Sequence, residues 1–472
     1  MSTAYAKVTA GVVDELRRIV GASYVIADDP EKLEPFSHDE TAEARYTAMP
    51  EAVVRPASTD EVAAVMKLAS RERIPVTPRG AGSGLSCGAV PVFGGVVLSL
   101  DRMNRILDVD EKNMTVTVEP GVVTSEIDKR VNEAGLFFAG YPMSLETCFI
   151  GGNVAENAGG GKAVKYGVTG RYVLGLEAVL PSGEVLALGG KRVKDVTGYD
   201  LIHLLVGSEG TLAVFTKVIL KLLPMPQASV SLLVLFHTVQ DAIDAVPAVM
   251  TETGIIPTAV EFMDELSFRA SCEYLNESLS TEAAGAMLLI EIDGSDAGQV
   301  ERDYDAVGQL CLDRGAIEVY VADNHTTRER IWRIRRNVAE AFKVVSPVQS
   351  LEDIVVPTSS IPDLMPELAR ISERHGVAIP SYGHAGDGNL HATPVKPPAM
   401  PQADWDELLP HLLTELYRAV GRLGGTISGE HGIGSKRRAF LPLVLDETTL
   451  ELMRRIKHAF DPNGILNPGK II

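Results

Sequence analysis

Three glycine-rich stretches set the terms on which this chain can fold. Pro78-Arg79-Gly80-Ala81-Gly82-Ser83-Gly84 follows a short apolar run, Gly151-Gly152-Asn153-Val154-Ala155-Glu156-Asn157-Ala158-Gly159-Gly160-Gly161 is built mostly of small residues, and Gly207-Ser208-Glu209-Gly210-Thr211-Leu212 completes the set. Without a Cβ, glycine lets main-chain N–H groups point at an anion and lets a flat ligand approach the backbone closely. One such stretch is most often a tight turn. The first lacks the Gly-Lys-Ser/Thr ending of a P-loop, and no clean helix follows it as in a strand–GxGxxG–helix dinucleotide unit. All of them together within residues 78–212 suggest one long cofactor laid across one domain.

The surrounding pattern divides the chain. At 472 residues it is too long for one small core, and about two or three domains are expected. Residues 1–50 read as a helical lead-in that turns irregular and acidic. Ser58-Thr59-Asp60-Glu61 is a capping-box start, with Val62, Val65, Met66 and Ala69 at helical spacing behind it. Ile74–Thr77, Gly95–Leu100 and Thr115–Glu119 read as strands, and a helix through Ile127 and Val131 is closed by Gly135. Gly175–Leu188 reads as strand–turn–strand around Pro181-Ser182-Gly183. Val218–Leu223 ends this domain, 51–225, at the linker Pro224-Met225-Pro226. Strands at Val230–Phe236, Ala286–Ile292 and Ile317–Val321, separated by helical stretches, indicate a second α+β domain over 226–400. The remainder, 401–472, is largely helical.

Charge and cysteine usage narrow the partners. A balance of 44 Lys+Arg against 63 Asp+Glu, net −19, argues against nucleic acid or anionic lipid as the main partner. Cys87, Cys148, Cys272 and Cys311 are too dispersed for a zinc ribbon, an iron–sulfur cluster or a disulfide framework. The first 20 residues mix Lys7, Asp14, Glu15, Arg17 and Arg18 into a helical pattern, unlike a signal peptide or a membrane span. No integral membrane segment and a cytoplasmic location are therefore expected. The oligomeric state is open, with a homodimer as one option.

A second constellation carries chemistry. His384 and His391 flank Gly386-Asp387-Gly388, and Glu430-His431 lies in the glycine-flanked run Ser428–Gly434. A tight turn can fold both imidazoles toward one point. Imidazoles plus a carboxylate suit a divalent transition metal, and such a ligand set leaves open positions for substrate. One histidine then remains to act as a base. The competing reading, histidines satisfied within turns, accounts less well for two such loops.

Taken together, these segments resemble the FAD-binding family of vanillyl-alcohol oxidase and para-cresol methylhydroxylase, from about Glu51 to Lys470. The resemblance implies an α+β fold: a two-part FAD-binding domain, then an α+β substrate (cap) domain, with a helical C-terminal segment returning to the flavin. It makes Pro78, Arg79, Gly80, Ala81, Gly82, Ser83, Gly84, Leu85 and Ser86 the pyrophosphate loop. Pro142, Met143, Ser144, Gly151, Gly152, Asn153, Ala155, Asn157, Ala158 and Gly159 run along the flavin. Tyr166 and Gly167 close over it, and Glu209, Gly210 and Asn467 complete the pocket. Some members attach FAD through a histidine in the pyrophosphate loop; Ser83 stands in the matching stretch here, so FAD is expected to be non-covalent.

The histidine segments are similar to those of the FAD-dependent D-2-hydroxy acid dehydrogenases, a group including D-lactate dehydrogenase, the glycolate oxidase catalytic subunit and D-2-hydroxyglutarate dehydrogenase. That resemblance implies metal ligation by His384, His391 and Glu430, with zinc, manganese or iron all admissible, and a general-base role for His431. A divalent ion lowers the pKa of a ligated water to about 7 and should acidify a substrate hydroxyl in the same direction. An imidazole with an ordinary pKa of about 6.5 suits removal of that proton. Hydride from Cα to flavin N5 would then yield the 2-keto acid.

The substrate anion also needs a clamp. At roughly 100° per residue, Ile331, Ile334, Val338 and Phe342 define the apolar side of one helix, and Arg335 projects onto it while Arg333 and Arg336 point away. A buried arginine needs an anionic partner, and the resemblance gives Arg335 the substrate carboxylate. Some relatives carry a lysine just before the next Val-Pro strand, where this chain has Ser350-Leu351-Glu352-Asp353, which disfavours a dicarboxylate. The expected substrate is D-lactate or glycolate, with D-2-hydroxyglutarate as the alternative. Electrons would pass to a separate iron–sulfur subunit, an electron-transfer flavoprotein or a quinone. Rival readings are a flavin relay subunit, a metallohydrolase and a phenol oxidase of the same fold.

Overall fold

The computed structural model describes residues 5–41, 44–277 and 283–472. Its chain forms two compact units: one of the residues up to Gly159, Val168–Pro224 and Glu430–Ile472, the other of Gly160–Gly167 and Met225–Gly429.

In the first unit, strands β1 (Val25–Ala27), β2 (Ala52–Val54), β3 (Val76–Arg79) and β4 (Val96–Ser99) form a sheet in the order β1-β2-β4-β3. The pairs β2–β4 and β3–β4 are parallel, which requires a crossover, and the helix Thr59–Glu72 supplies the one between β2 and β3. Ser58 starts that helix, its hydroxyl accepting from the Glu61 N–H at 3.2 Å, while Glu61 accepts from the Ala57 N–H at 2.7 Å. Then come β5 (Ile106–Asp110), β6 (Thr115–Val118), β7 (Leu136–Phe137), β8 (Val173–Val179), β9 (Val185–Gly189), β10 (Val214–Lys221) and β11 (Leu223–Pro224). Five of these make an antiparallel sheet, β5-β6-β10-β8-β9, and β7 pairs with β11.

The described residues up to 50 pack into the first unit. The helix Ala10–Val20 drives Val12, Val13, Leu16 and Val20 into the core beside Val62, Val65 and Met66, and β1 adds an antiparallel edge to β2. The apolar stripe of that helix has nowhere else to be buried. Of that segment, residues 1–4 and 42–43 lie outside the described residues.

The second unit holds a seven-stranded antiparallel sheet of β12 (Ala228–Phe236), β13 (Ala259–Asp264), β14 (Ala286–Gly294), β15 (Ala316–Ala322), β16 (Glu352–Val355), β17 (Ser381–His384) and β18 (Asn389–Ala392). The order is β15-β12-β14-β13-β17-β18-β16, so β13 and β17, far apart in sequence, are neighbours. The helical C-terminal segment does not travel as one piece. Its helix Gln402–Arg422 buries Trp405, Leu409, Leu412, Leu416 and Tyr417 within the second unit, with Tyr417 donating to Glu352. Its helix Glu447–Phe460 and the following Ile465 and Leu466 belong to the first, where Ile465 and Leu466 join the core and Leu466 bridges in parallel to Val76. The helix expected around Arg335 is two, His325–Arg336 and Val338–Val345, parted at Asn337, whose side chain donates to the Arg333 carbonyl at 2.8 Å. No helix among the described residues is long and apolar enough to cross a membrane.

Candidate active site

The glycine-rich stretches of the first unit expose main chain and bury their polar side chains. Gly80–Leu85 leaves the end of β3 without regular structure and half-buried. Beneath it the Arg79 guanidinium donates to the His38 carbonyl at 2.7 Å and the Pro35 carbonyl at 3.1 Å. The next stretch forms the helix Ile150–Glu156, in which Gly152 faces open space: apart from its own helix backbone, none of the described residues comes within 4 Å of where a Cβ would stand. Asn153 donates to the Thr124 hydroxyl at 2.8 Å, and the Asn157 carbonyl oxygen Oδ1 accepts from the Gly170 N–H at 2.8 Å. Asn467 donates to the Glu209 carbonyl at 2.7 Å and the Gly88 carbonyl at 3.0 Å. Arg79, Asn153, Asn157 and Asn467 thus hold the loops in shape, leaving backbone and the open face at Gly152 for a ligand. That arrangement fits a flat, phosphate-bearing cofactor such as FAD, because amides rather than side chains must approach it. Pro142, Met143 and Ser144 are partly or fully exposed.

The turn carrying Glu430 and His431 is held by carboxylates. Glu209, itself in the left-handed region at φ 50°, accepts from the Ile433 N–H at 2.7 Å and the Gly434 N–H at 2.6 Å. Gly432 has φ 82°, and a Cβ there would stand 2.0 Å from Glu156 Oε2 and 2.9 Å from Glu209 Oε1, so only glycine lets both carboxylates close in. Burial, reinforced by the Glu209 and Asp39 charges, pushes the Glu156 carboxyl well above the ordinary range despite the buried Arg437 nearby. Arg437 donates to the Gly432 carbonyl at 3.1 Å. Glu430 stands against the end of the second glycine stretch, its Cβ 3.3 Å from the place a Gly159 Cβ would take, and its Oε1 lies 3.2 Å from His431 Nε2.

In the second unit, β17 and β18 form the hairpin that bears His384 and His391, with ring centroids 5.6 Å apart and nearly perpendicular. The next neighbour of β17 is β13, where Glu261 pairs across the strands with His384. Glu261 Oε1 lies 2.5 Å from His384 Nδ1, and Glu261 Oε2 accepts from Arg335 Nε at 2.6 Å. Burial alone would raise the Glu261 carboxyl, but the charges of His384 and Arg335, and hydrogen bonds from both, bring it down to about 2. Arg335 is buried, as its helix phase requires, while Arg333 and Arg336 are exposed. Its anionic protein partner is Glu261, and its buried Nη2 has no hydrogen-bond partner among the described residues. The Tyr382 ring lies 5.1 Å from the Arg335 guanidinium carbon.

Asp353 on β16 stands across from His391 on β18, with ligand atoms within 4.8 Å of each other. Its Oδ1 accepts from Asn389 Nδ2 at 2.7 Å, and its Oδ2 from the Ser428 hydroxyl at 2.7 Å and the Gly429 N–H at 2.8 Å. Three donors fill most of its lone pairs, which makes Asp353 an anchor for the chain entering Glu430 rather than a bare ligand. Because His384 Nδ1 is committed to Glu261, His384 can ligate a metal only through Nε2. The donor chemistry of His384 and His391 suits a divalent transition metal. Tyr166 and Gly167 belong to this unit, with the Tyr166 hydroxyl donating to Asp293 at 2.9 Å.

Glu261, Asp353, Glu156 and Arg437 are structural discoveries. A carboxylate at a fully buried position of an apolar strand, as in Ala259–Asp264, is the signal that marks Glu261, since a buried charge demands a partner.

Comparison with known proteins places the chain among flavin-dependent oxidases. Residues 50–189 match the family described as "FAD binding domain", and residues 225–471 match "FAD linked oxidases, C-terminal domain". The chain is 39% identical over 436 residues to glycolate oxidase subunit GlcD of Bacillus subtilis, covering 92% of this chain and 91% of that one. It is 37% identical to D-lactate dehydrogenase of Anaerostipes hadrus, covering 99% and 98%, and 33% identical to D-2-hydroxyglutarate dehydrogenase of Xanthomonas citri, covering 94% and 93%. Its fold is similar to that of p-cresol methylhydroxylase, with a TM-score of 0.81 over 98% of this chain and 97% of that one at 19% identity. The protein is an FAD-dependent oxidoreductase, and it belongs to the FAD-linked oxidase family.

Proposed function

We propose that the chain oxidises a small D-2-hydroxy acid, D-lactate or glycolate, to its 2-keto acid with the aid of a divalent metal. The observation that carries this reading is the buried Arg335, fixed through Nε and carrying an unpartnered Nη2, on the same carboxylate as His384. A guanidinium donor without a protein partner calls for an anion, and a neighbouring imidazole pair calls for a metal or a proton. The names of the relatives, which act on lactate, glycolate and 2-hydroxyglutarate, favour the same chemistry.

In this reading Arg335 Nη2 binds the substrate carboxylate and orients the molecule. His384, His391 and Glu430 would hold the cation, and His431 accepts the hydroxyl proton. A bound divalent cation supplies acidification of that hydroxyl, and bound FAD supplies the two-electron acceptor. Glycine stretches 78–86 and 151–159, with Pro142–Ser144, Tyr166, Gly167, Glu209, Gly210 and Asn467, hold the cofactor, non-covalently because Ser83 offers no attachment point. A short monoacid is favoured over a dicarboxylate because segment 350–353 presents acids: Glu352 is tied to Tyr417 and Ser350, and Asp353 to Asn389, Ser428 and Gly429. With four dispersed free thiols and no cluster motif, electrons leave to a separate acceptor, an iron–sulfur subunit, an electron-transfer flavoprotein or a quinone. A pure relay would have no use for the Arg335 clamp.

The test is the flavin spectrum of the purified protein under anaerobic conditions, with its metal content measured alongside. Bleaching by D-lactate or glycolate but not L-lactate, in a protein carrying stoichiometric metal, is the expected outcome. A yellow protein indifferent to D-lactate, glycolate and D-2-hydroxyglutarate would overturn the proposal.

A further inference from the structure

We infer that Glu261 is a positioning residue serving metal and substrate at once: its two oxygens fix His384 and Arg335, so that one carboxylate sets where both present their remaining nitrogens. The inference deepens the function proposed above and rests on it.

Both contacts are short, at 2.5 Å to His384 Nδ1 and 2.6 Å to Arg335 Nε, and all three side chains are at most 5% exposed. Their placement comes from regular structure rather than loops. Glu261 and His384 are cross-strand partners on β13 and β17, so their side chains emerge on one face of the sheet. Three residues on, Asp264 ties the same two strands again, accepting from the Ser381 N–H at 2.6 Å while capping the helix Glu265–Leu275 through the Ser267 N–H at 2.8 Å. The backbone also closes over the Glu261 carboxylate at Gly161. A Cβ on Gly161 would stand 2.6 Å from Glu261 Oε1, so glycine at that position is what lets the backbone seal the group.

The chemistry of the contact explains its use. A carboxylate accepting from Nδ1 fixes the imidazole tautomer that leaves Nε2 as ligand, and raises the basicity of that ligand. The same charge neutralises Arg335, which permits a guanidinium and a metal cation to share one neighbourhood. Arg335 engages Glu261 through Nε, and its buried Nη2, without a hydrogen-bond partner among the described residues, is the donor left for an anion.

The experiment compares metal affinity, flavin content and steady-state kinetics in Glu261→Gln, Arg335→Met and Glu261→Met/Arg335→Met. Metal affinity is read by chelator competition with zinc on the flavin-loaded protein, independently of turnover. In Glu261→Gln, zinc affinity should fall about 10–100-fold, KM for the hydroxy acid should rise, and flavin content should not change. Arg335→Met should raise KM and keep wild-type zinc affinity. The double variant removes the buried charges together and so tolerates loss of the ion pair; it should show the same loss of zinc affinity as Glu261→Gln. Wild-type zinc affinity in the double variant, or in a folded Glu261→Gln, would overturn the role of Glu261 alone. A wild-type protein that binds no divalent metal would instead sink the functional reading beneath it.

Discussion

The two units solve opposite problems with the same residue types. In the first, polar side chains from the glycine-rich segments and from Asn467 turn inward: Arg79 to the Pro35 and His38 carbonyls, Asn153 to Thr124, Asn157 to Gly170, Asn467 to Gly88 and Glu209. The surface left for a ligand is backbone. In the second, β13, β16, β17 and β18 bring Glu261, Asp353, His384 and His391 together at buried positions, and what the sheet offers is side chains. A cofactor bound by many weak main-chain contacts tolerates the loss of any one. A site of a few buried charged groups does not, since each supports the next.

The sharpest way to break that contrast is His384→Ala. If His384 holds the cation as proposed, its loss removes several kcal/mol of charge stabilisation and should lower kcat/KM by about a thousand-fold or more. The flavin absorbance should be unchanged, because the residue sits in the other unit. Loss of the yellow colour would contradict the separation of roles.

Gly432→Ala sharpens the comparison from the first unit. With φ at 82° and Glu156 Oε2 only 2.0 Å from the new Cβ, the turn bearing His431 must shift. A loss of about 1–3 kcal/mol in thermal unfolding is expected, together with lower kcat if His431 is the base proposed above. Unchanged stability would mean that the Glu156–Glu209 pair does not close on this turn.

The smallest effect is a pH dependence. Glu156 is held above its ordinary pKa of 4.5 by burial and by Glu209 and Asp39, opposed by Arg437. Its contribution to stability is therefore fully present below that ordinary value and is lost as pH rises through the raised folded value. Glu156→Gln cannot ionise, so the variant should match wild type at acidic pH and pull ahead as pH increases, by up to about 1.4 kcal/mol per pH unit crossed between the two pKa values. Parallel unfolding curves at every pH would show that folding does not raise the Glu156 pKa.

What could be read in advance follows from where each signal is stored. Glycine runs, the Ser58 cap and the phase of Arg335 on its helix are local, and local patterns survive in a linear sequence. Glu261 was not legible as a partner of His384 because the two are 123 residues apart and meet only through the non-sequential order β13–β17–β18. The same holds for Asp353, whose donors Asn389, Ser428 and Gly429 come from later segments. The helical C-terminal stretch looked uniform because both of its long helices are amphipathic. Only packing assigns Gln402–Arg422 to one unit and Glu447–Phe460 to the other.

The parallel bridge between Val76 and Leu466 has a consequence for how the molecule is made. Residues 465 and 466 complete a core begun by Val12, Val65 and Val76, and Asn467 braces the loops around Glu209 and Gly88. On the ribosome, all of residues 225–429 are synthesised before those last pieces appear. The second unit is thus free to fold first, while the nascent first unit waits with part of its apolar interior uncovered. The interval before residues 465 and 466 emerge is then the time when a chaperone has most to hold.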